Sequence, residues 1–270
     1  MVITRMRRNS ALLLFSLLIA GCGGGGSSTP ASPSPAPTVP ISAACGALGQ
    51  AVSGSTAIVN GADCPVTNSP VVLLNLRDRD GLPTGSCTGT VIAPRAILTA
   101  AHCLPPETAS IKVFLGVGPQ LDAASFAPHP GYSNGTALDV GVVLMSGDIP
   151  RTPIPLLLSR DARVGETAVI TGWGKDATGV LSTLRAGVAT ITAVTALTLQ
   201  TSFSSNFSSV CQGDSGGPIL LQESGTWAIG GVISANSTLA CSFGDNFYAN
   251  IRQPDITSFI LGRVPDASRR

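Results

Sequence analysis

Charge is scarce in this chain: 11% of its 270 residues are Asp, Glu, Lys or Arg, and the formal net charge is +1. Nucleic acids and anionic lipid surfaces are gripped first through concentrated positive charge, so neither kind of partner is indicated. Recognition must then rest on shape and local chemistry. Histidine is scarcer still, with only His102 and His129. Two histidines, beside cysteines better placed for disulfides, do not make a zinc-ligand set, so neither a metal nor another cofactor is expected. Lys and Glu are few, while Gly, Ser, Thr, Ala and Val are plentiful and turn residues punctuate them. That balance describes an all-β exported domain rather than a helical one. The length accommodates one or two globular units with ample core.

Long apolar runs are also missing. The run Ala11 to Ala20 is too short to cross a bilayer comfortably, and it follows Arg5, Arg7 and Arg8. This is the layout of an export signal, assigned to residues 1–21. It ends Ile19-Ala20-Gly21-Cys22, which resembles a bacterial lipobox, in which the cysteine is diacylated and becomes the new N-terminus. The alternative is an ordinary signal peptide with an incidental cysteine. Residues 22–43, a glycine run followed by a Pro/Ser/Ala stretch, cannot bury apolar surface and read as a solvated, lipid-anchored tether. Gly23, standing where an aspartate would retain a lipoprotein in the inner membrane, points to the outer membrane or cell surface of a bacterial envelope. The membrane contact expected is the lipid on Cys22.

The chemistry is concentrated in Gln212-Gly213-Asp214-Ser215-Gly216-Gly217-Pro218. A serine among glycines offers a nucleophilic hydroxyl together with unobstructed backbone N–H groups that can hold an oxyanion. A serine hydroxyl is a poor nucleophile at neutral pH and needs an imidazole as base, which in turn needs an acid to fix its tautomer. His102 lies in Thr99-Ala100-Ala101-His102-Cys103, and Asp139 opens the apolar strand Val140 to Leu144. The order is therefore His, Asp, Ser. Gly213 to Gly217 also fits the G-x-S-x-G elbow of α/β-hydrolases, but that fold requires its histidine after the serine, and none follows His129. The subtilisin order needs an acid before His102. Asp63, Asp78 and Asp80 precede it, and none opens such a strand.

With these residues in place the chain resembles the trypsin-like, chymotrypsin-fold serine proteases from about Ile58 to about Leu261. The resemblance implies two antiparallel β-barrels and a short C-terminal helix. Apolar runs fit this: Val71 to Leu76, Thr88 to Ile92, Ala96 to Thr99, Ile111 to Leu115 and Val140 to Leu144 for the first barrel. Thr167 to Gly172, Val188 to Thr192, Pro218 to Leu221, Trp227 to Ser234 and Phe247 to Ile251 serve the second. Pro254 opens a helix with Ile256, Phe259 and Ile260 on one face. The expected division is a propeptide at 44–57, a protease domain at 58–262 and a tail at 263–270.

By the same resemblance, Ser215 is the nucleophile, His102 the base and Asp139 its orienting acid, with Gly213 and Ser215 supplying the oxyanion hole. Ser234 matches the serine that hydrogen-bonds the triad acid. His129 matches a frequent stretch with no catalytic role. Ile58-Val59-Asn60-Gly61 matches the segment that becomes a new N-terminus on cleavage after Ala57, its ammonium then pairing with Asp214. Of seven cysteines, six remain once Cys22 is set aside. The resemblance implies Cys87 with Cys103 and Cys211 with Cys241, leaving Cys45 with Cys64 across the cleavage point. The primary pocket is implied at Ser209, Ser234, Asn236 and Asn246. Ser209 is not an acid, which disfavours Arg and Lys, and the two asparagines shrink the pocket toward small, apolar or polar residues. Asp245 lies near enough to leave a basic preference open. The implied activity is a serine endopeptidase acting on proteins or peptides, with a monomeric catalytic domain. The competing reading is an inactive homologue that serves as a binding module.

Overall fold

Short β-branched and aliphatic runs separated by turns have no way to bury both faces except by pairing side by side, and a sheet that closes on itself leaves no open edge. The computed structural model describes residues 41–48, 58–175, 183–203, 207–238 and 241–270. In chain order the strands are β1 (Ala62–Asp63), β2 (Val71–Arg77), β3 (Pro83–Ala93), β4 (Ala96–Thr99), β5 (Ser110–Phe114), β6 (Leu121–Pro128) and β7 (Gly141–Met145). They continue as β8 (Thr167–Gly172), β9 (Arg185–Val194), β10 (Thr198–Ser202), β11 (Pro218–Glu223), β12 (Thr226–Asn236) and β13 (Asp245–Asn250), followed by helix α1 (Pro254–Arg263).

Two closed antiparallel barrels result. The first runs β2-β3-β4-β7-β6-β5. The second runs β9-β10-β13-β12-β11-β8 and closes through the β8–β9 pairing, with β1 added outside β9. Residues such as Leu74, Ile92, Ile97 and Val143 fill the first barrel, and Ile170, Leu199, Ile219 and Tyr248 the second. Each such aliphatic side chain contributes roughly 1.5–3 kcal/mol by leaving water. Helix α1 begins with Pro254, and the Gln253 side chain accepts from Ile256 N at 2.7 Å as its cap. Ile256 and Ile260 are buried, and Phe259 lies 4.9 Å from the His129 ring. His129 also accepts from Gly131 N at 3.0 Å, so its part is to fasten the helix to the loop after β6. The residues beyond the helix, set apart in the sequence as a tail, run back beside Leu156: Leu156 N donates to Ser268 O and Arg270 N to Leu156 O, both at 2.8 Å.

Upstream, Ile41–Leu48 forms a 3-10 helix with Ala44, Cys45, Ala47 and Leu48 buried, packed on β1 and β9. It spans the sequence boundary drawn between tether and propeptide. Three disulfides join Cys45 to Cys64, Cys87 to Cys103 and Cys211 to Cys241. Cys22 and Ala57 lie outside the described residues.

The barrels are joined by polar contacts as well as apolar ones. Trp173, 1% exposed, follows β8 and donates its indole N–H to Val71 O on β2 at 3.1 Å. The Thr88 hydroxyl on β3 accepts from Trp173 N at 3.0 Å and donates to Gly213 O at 2.7 Å. Replacing Trp173 by Phe removes the indole bond while keeping an aromatic ring. Urea unfolding should show a loss of about 1–3 kcal/mol, and an unchanged midpoint would refute this account of the joint.

Candidate active site

The site lies where the barrels meet, and each part is placed by its own barrel. Leaving β4, the chain makes a tight turn over Ala101–Cys103, which presents His102. The Cys87–Cys103 disulfide ties that turn to β3. Asp139 is fully buried just ahead of β7, after Leu138, which takes left-handed backbone at φ +55°. Its carboxylate accepts from His102 N at 3.0 Å and pairs with His102 Nδ1 at 2.8 Å. The Ser234 hydroxyl on β12 donates to it at 2.5 Å. Three donors thus hold a carboxylate that water cannot reach, and the imidazole is left with Nε2 for other partners.

The second barrel supplies the loop 211–217. Ser215 O accepts from Thr88 N at 2.8 Å, directly beside Cys87, so the serine is pinned to the strand that the His102 turn is bridged to. Gly216, at φ +83°, comes so close that a Cβ there would lie 2.1 Å from Thr99 Oγ1. Only glycine admits that approach. Two peptides fix the direction of the candidate oxyanion donors. Gln212 O accepts from Lys175 N and Asp214 O from Gly217 N, each at 2.8 Å. Because a trans peptide sets its N–H opposite its C=O, the N–H groups of Gly213 and Ser215 point the other way, and neither has a partner among the described residues.

Asp214 lies behind this loop, fully buried. Its carboxylate accepts from Gly174 N and Cys211 N, both at 2.8 Å, and there is no room for a side chain at Gly172 or Gly174, where a Cβ would meet Asp214 Oδ1 at 2.2 and 2.6 Å. Burial pushes the Asp214 carboxyl up to about 6, with the two N–H donors and the nearby Arg185 opposing the rise. Ile58 is buried among Leu157, Ile170 and Val210 at φ +38°, and Val59 O accepts from Ser209 N at 3.1 Å.

Beside Ser215 opens a cavity of about 170 Å³ lined by Val210, Gln212, Ser234, Asn236 and Thr238 among others. The buried Asn246 accepts from the Ser209 hydroxyl at 3.0 Å and from Asn236 Nδ2 at 2.8 Å, and donates to Thr201 at 3.2 Å. Asp245 is turned to the opposite face of β13, where it accepts from Ser202 at 2.5 Å. On the other side of His102 lies a larger, mainly apolar groove of about 560 Å³ between Leu104, Pro105, Phe126 and Tyr132. The sulfurs of Cys87 and Cys103 come within 4.8 Å of a His102 nitrogen, but both are consumed in their disulfide and leave no thiolate to bind a cation. Nothing in the sequence marks out Thr88, whose N–H and hydroxyl bond to backbone atoms of the serine loop, or the buried Arg185, whose Nη1 donates to Gly174 O at 2.9 Å.

An Asp–His pair from one barrel and a Gly-framed serine from the other, with two outward-facing N–H groups, define the two-barrel class of serine hydrolase. The trypsin family model matches residues 58–257, and the chain belongs to that family. Human kallikrein-11 is 30% identical over 203 residues, covering 64% of this chain and 70% of the kallikrein. A trypsin of Saccharopolyspora erythraea is 28% identical over 190 residues, covering 62% of this chain and 82% of the trypsin. Among solved structures, HL collagenase shares the fold with a TM-score of 0.62 at 20% identity, over 73% of this chain and 93% of the collagenase.

The elevated Asp214 value has a thermodynamic consequence in the uncut chain. A carboxyl whose folded pKa exceeds its unfolded value favours folding when protonated. That contribution is present below about pH 4 and lost as pH rises through about 6. The difference from the ordinary 3.8 is worth on the order of 3 kcal/mol. Urea unfolding of an uncut Ser215→Ala chain should therefore weaken across this window relative to the same chain carrying Asp214→Asn. Parallel pH profiles for the two would contradict the assignment.

Proposed function

We propose that this protein is a serine endopeptidase. Ser215 Oγ attacks the peptide carbonyl carbon as its proton passes to His102 Nε2, and the carbonyl oxygen becomes an oxyanion facing the Gly213 and Ser215 N–H groups. The adduct collapses, and the leaving amine departs with the proton from His102. Water then repeats the cycle on the acyl-enzyme and frees Ser215. Asp139 stabilises the imidazolium in both halves. The observation that carries this reading is the buried Asp139 carboxylate, shared by His102 and Ser234, beside a serine loop whose peptides turn two N–H groups outward.

The substrate residue before the scissile bond is small. Of the residues expected in the pocket, Ser234 and Asn236 line the cavity beside Ser215, whereas Ser209 and Asn246 do not line it and are tied to each other, and Asn246 to Asn236, by hydrogen bonds. Its small volume, about 170 Å³, and the lack of a carboxylate among its described lining residues favour a small residue over Arg or Lys. The enzyme is exported and anchored to the bacterial envelope by lipid on Cys22, and it is made as a zymogen cut between Ala57 and Ile58. The ammonium so created neutralises Asp214, a carboxylate whose pKa burial raises and whose burial is costly without a paired charge. Ala57 is itself small, which suits self-activation. Cys45 and Cys64 stand on either side of the cut, so their disulfide keeps the processed domain on its anchor.

An organophosphonate serine probe should label the processed protein and not its Ser215→Ala variant, and a peptide library should be cut after Ala, Ser or similarly small residues. Absence of labelling would refute the enzyme reading, and cleavage mainly after Arg, Lys or aromatics would refute the preference. Ser215→Ala protein purified alone should stay uncut. Cleaved wild-type protein run without reductant should retain its N-terminal piece and lose it on reduction, whereas a free fragment before reduction would sink the tether.

A further inference from the structure

We infer that Arg185 is a positioning residue for the oxyanion hole, acting on Gly213 through two intervening peptide groups; the inference rests on the protease reading above. Arg185 opens β9 and is 3% exposed. Its Nη1 donates to Gly174 O at 2.9 Å. That carbonyl belongs to the same peptide as the Lys175 N–H, which donates to Gln212 O at 2.8 Å. The Gln212 carbonyl shares its peptide with the Gly213 N–H, the candidate oxyanion donor. A guanidinium, two peptides and a donor thus stand in one hydrogen-bonded series, with every dipole pointing the same way.

The physical consequence is twofold. Holding the 174–175 peptide holds the 212–213 peptide, so the Gly213 N–H cannot turn inward without breaking a bond to a buried cation's partner. The positive charge at the head of the series also polarises each peptide in turn, which makes the last N–H a better donor to negative charge. The neighbouring Gly174 N–H donates to Asp214 Oδ1, so the same glycine serves both sides of the loop.

Two carboxylates share the charge of this guanidinium. Asp63, half-exposed on β1, accepts from Arg185 Nε at 3.2 Å across the register that faces Asp63 with Arg185. Asp214 feels the same guanidinium through space. In the uncut chain two carboxylates therefore flank one cation. Asp63 lies five residues beyond Ile58 on the activation segment, so Arg185 ties that segment to the oxyanion loop independently of any ammonium at Ile58.

The test uses the processed, full-length protein with Arg185→Gln, Arg185→Lys and Asp63→Asn, alone and with Asp63→Asn and Arg185→Gln combined. Arg185→Gln should lower kcat about tenfold or more while KM stays within about threefold, because the bond in question strengthens only as the oxyanion forms. Affinity for a peptide aldehyde, whose adduct oxygen occupies the hole, should fall in step with kcat. Arg185→Lys should recover part of both. Asp63→Asn should lower kcat by a smaller factor without shifting Tm, and the double variant should be no worse than Arg185→Gln alone. Wild-type kcat and aldehyde affinity in Arg185→Gln, or a loss confined to KM, would overturn the inference while leaving the protease reading intact. If Arg185→Gln does not fold, Asp63→Asn decides: unaltered kcat and aldehyde affinity there would overturn it. An inactive wild-type protein would instead remove the reading on which it rests.

Discussion

The working parts of this protein are organised around a carboxylate placed where it is costly. Asp214 is fully buried, and its carboxyl is pushed up to about 6 although two backbone N–H groups and the nearby Arg185 favour its charge. A group in that condition confers rigidity on whatever surrounds it, because losing any donor leaves charge unsolvated. The donors come from Gly174 and from Cys211, so the loop after β8 and the loop before β11 are fixed by the same side chain. Gly172 and Gly174 are the spatial condition for this, since a methyl group at either would occupy the carboxylate's own volume.

Around that point the two barrels divide the labour. The first presents an imidazole whose tautomer is set by the buried Asp139, and the second presents the serine and the backbone donors. Neither half is a site alone. Thr88 unites them: its N–H holds Ser215 O, while its hydroxyl bridges Trp173 N and Gly213 O. Ser234 crosses the other way, reaching from β12 to Asp139. Reciprocal contacts of this kind make the relative placement of the barrels part of the geometry of the candidate site rather than a by-product of packing.

The two-barrel architecture was legible because most strands carry contiguous aliphatic residues, as in Val71 to Leu76 or Val140 to Leu144. Strand β6 escaped because its eight residues, Leu-Asp-Ala-Ala-Ser-Phe-Ala-Pro, are mostly small and partly exposed, and it pairs through its backbone. Strand β10, Thr-Leu-Gln-Thr-Ser, escaped for a related reason: its buried Thr201 is satisfied by Tyr248 and Asn246, so polarity there marks the interior. The serine, histidine and aspartate were legible from residue type and order. Asp245 was ambiguous until the register placed it opposite Asn246 in facing.

What the sequence could not carry is the part of the site made of peptide groups. Gly174, Lys175 and Gln212 contribute a C=O or an N–H that any residue would have, so their types announce nothing; only the fold decides that they stand in series. The cation at the head of that series is more effective for being buried, since an exposed charge is weakened by the high dielectric of water and by salt. Burying it requires a counterion. Asp63 fills that need from the segment that starts at Ile58. The β1–β9 pairing sets Asp63 opposite Arg185, so the segment that starts at Ile58 meets the head of that series through its sixth residue.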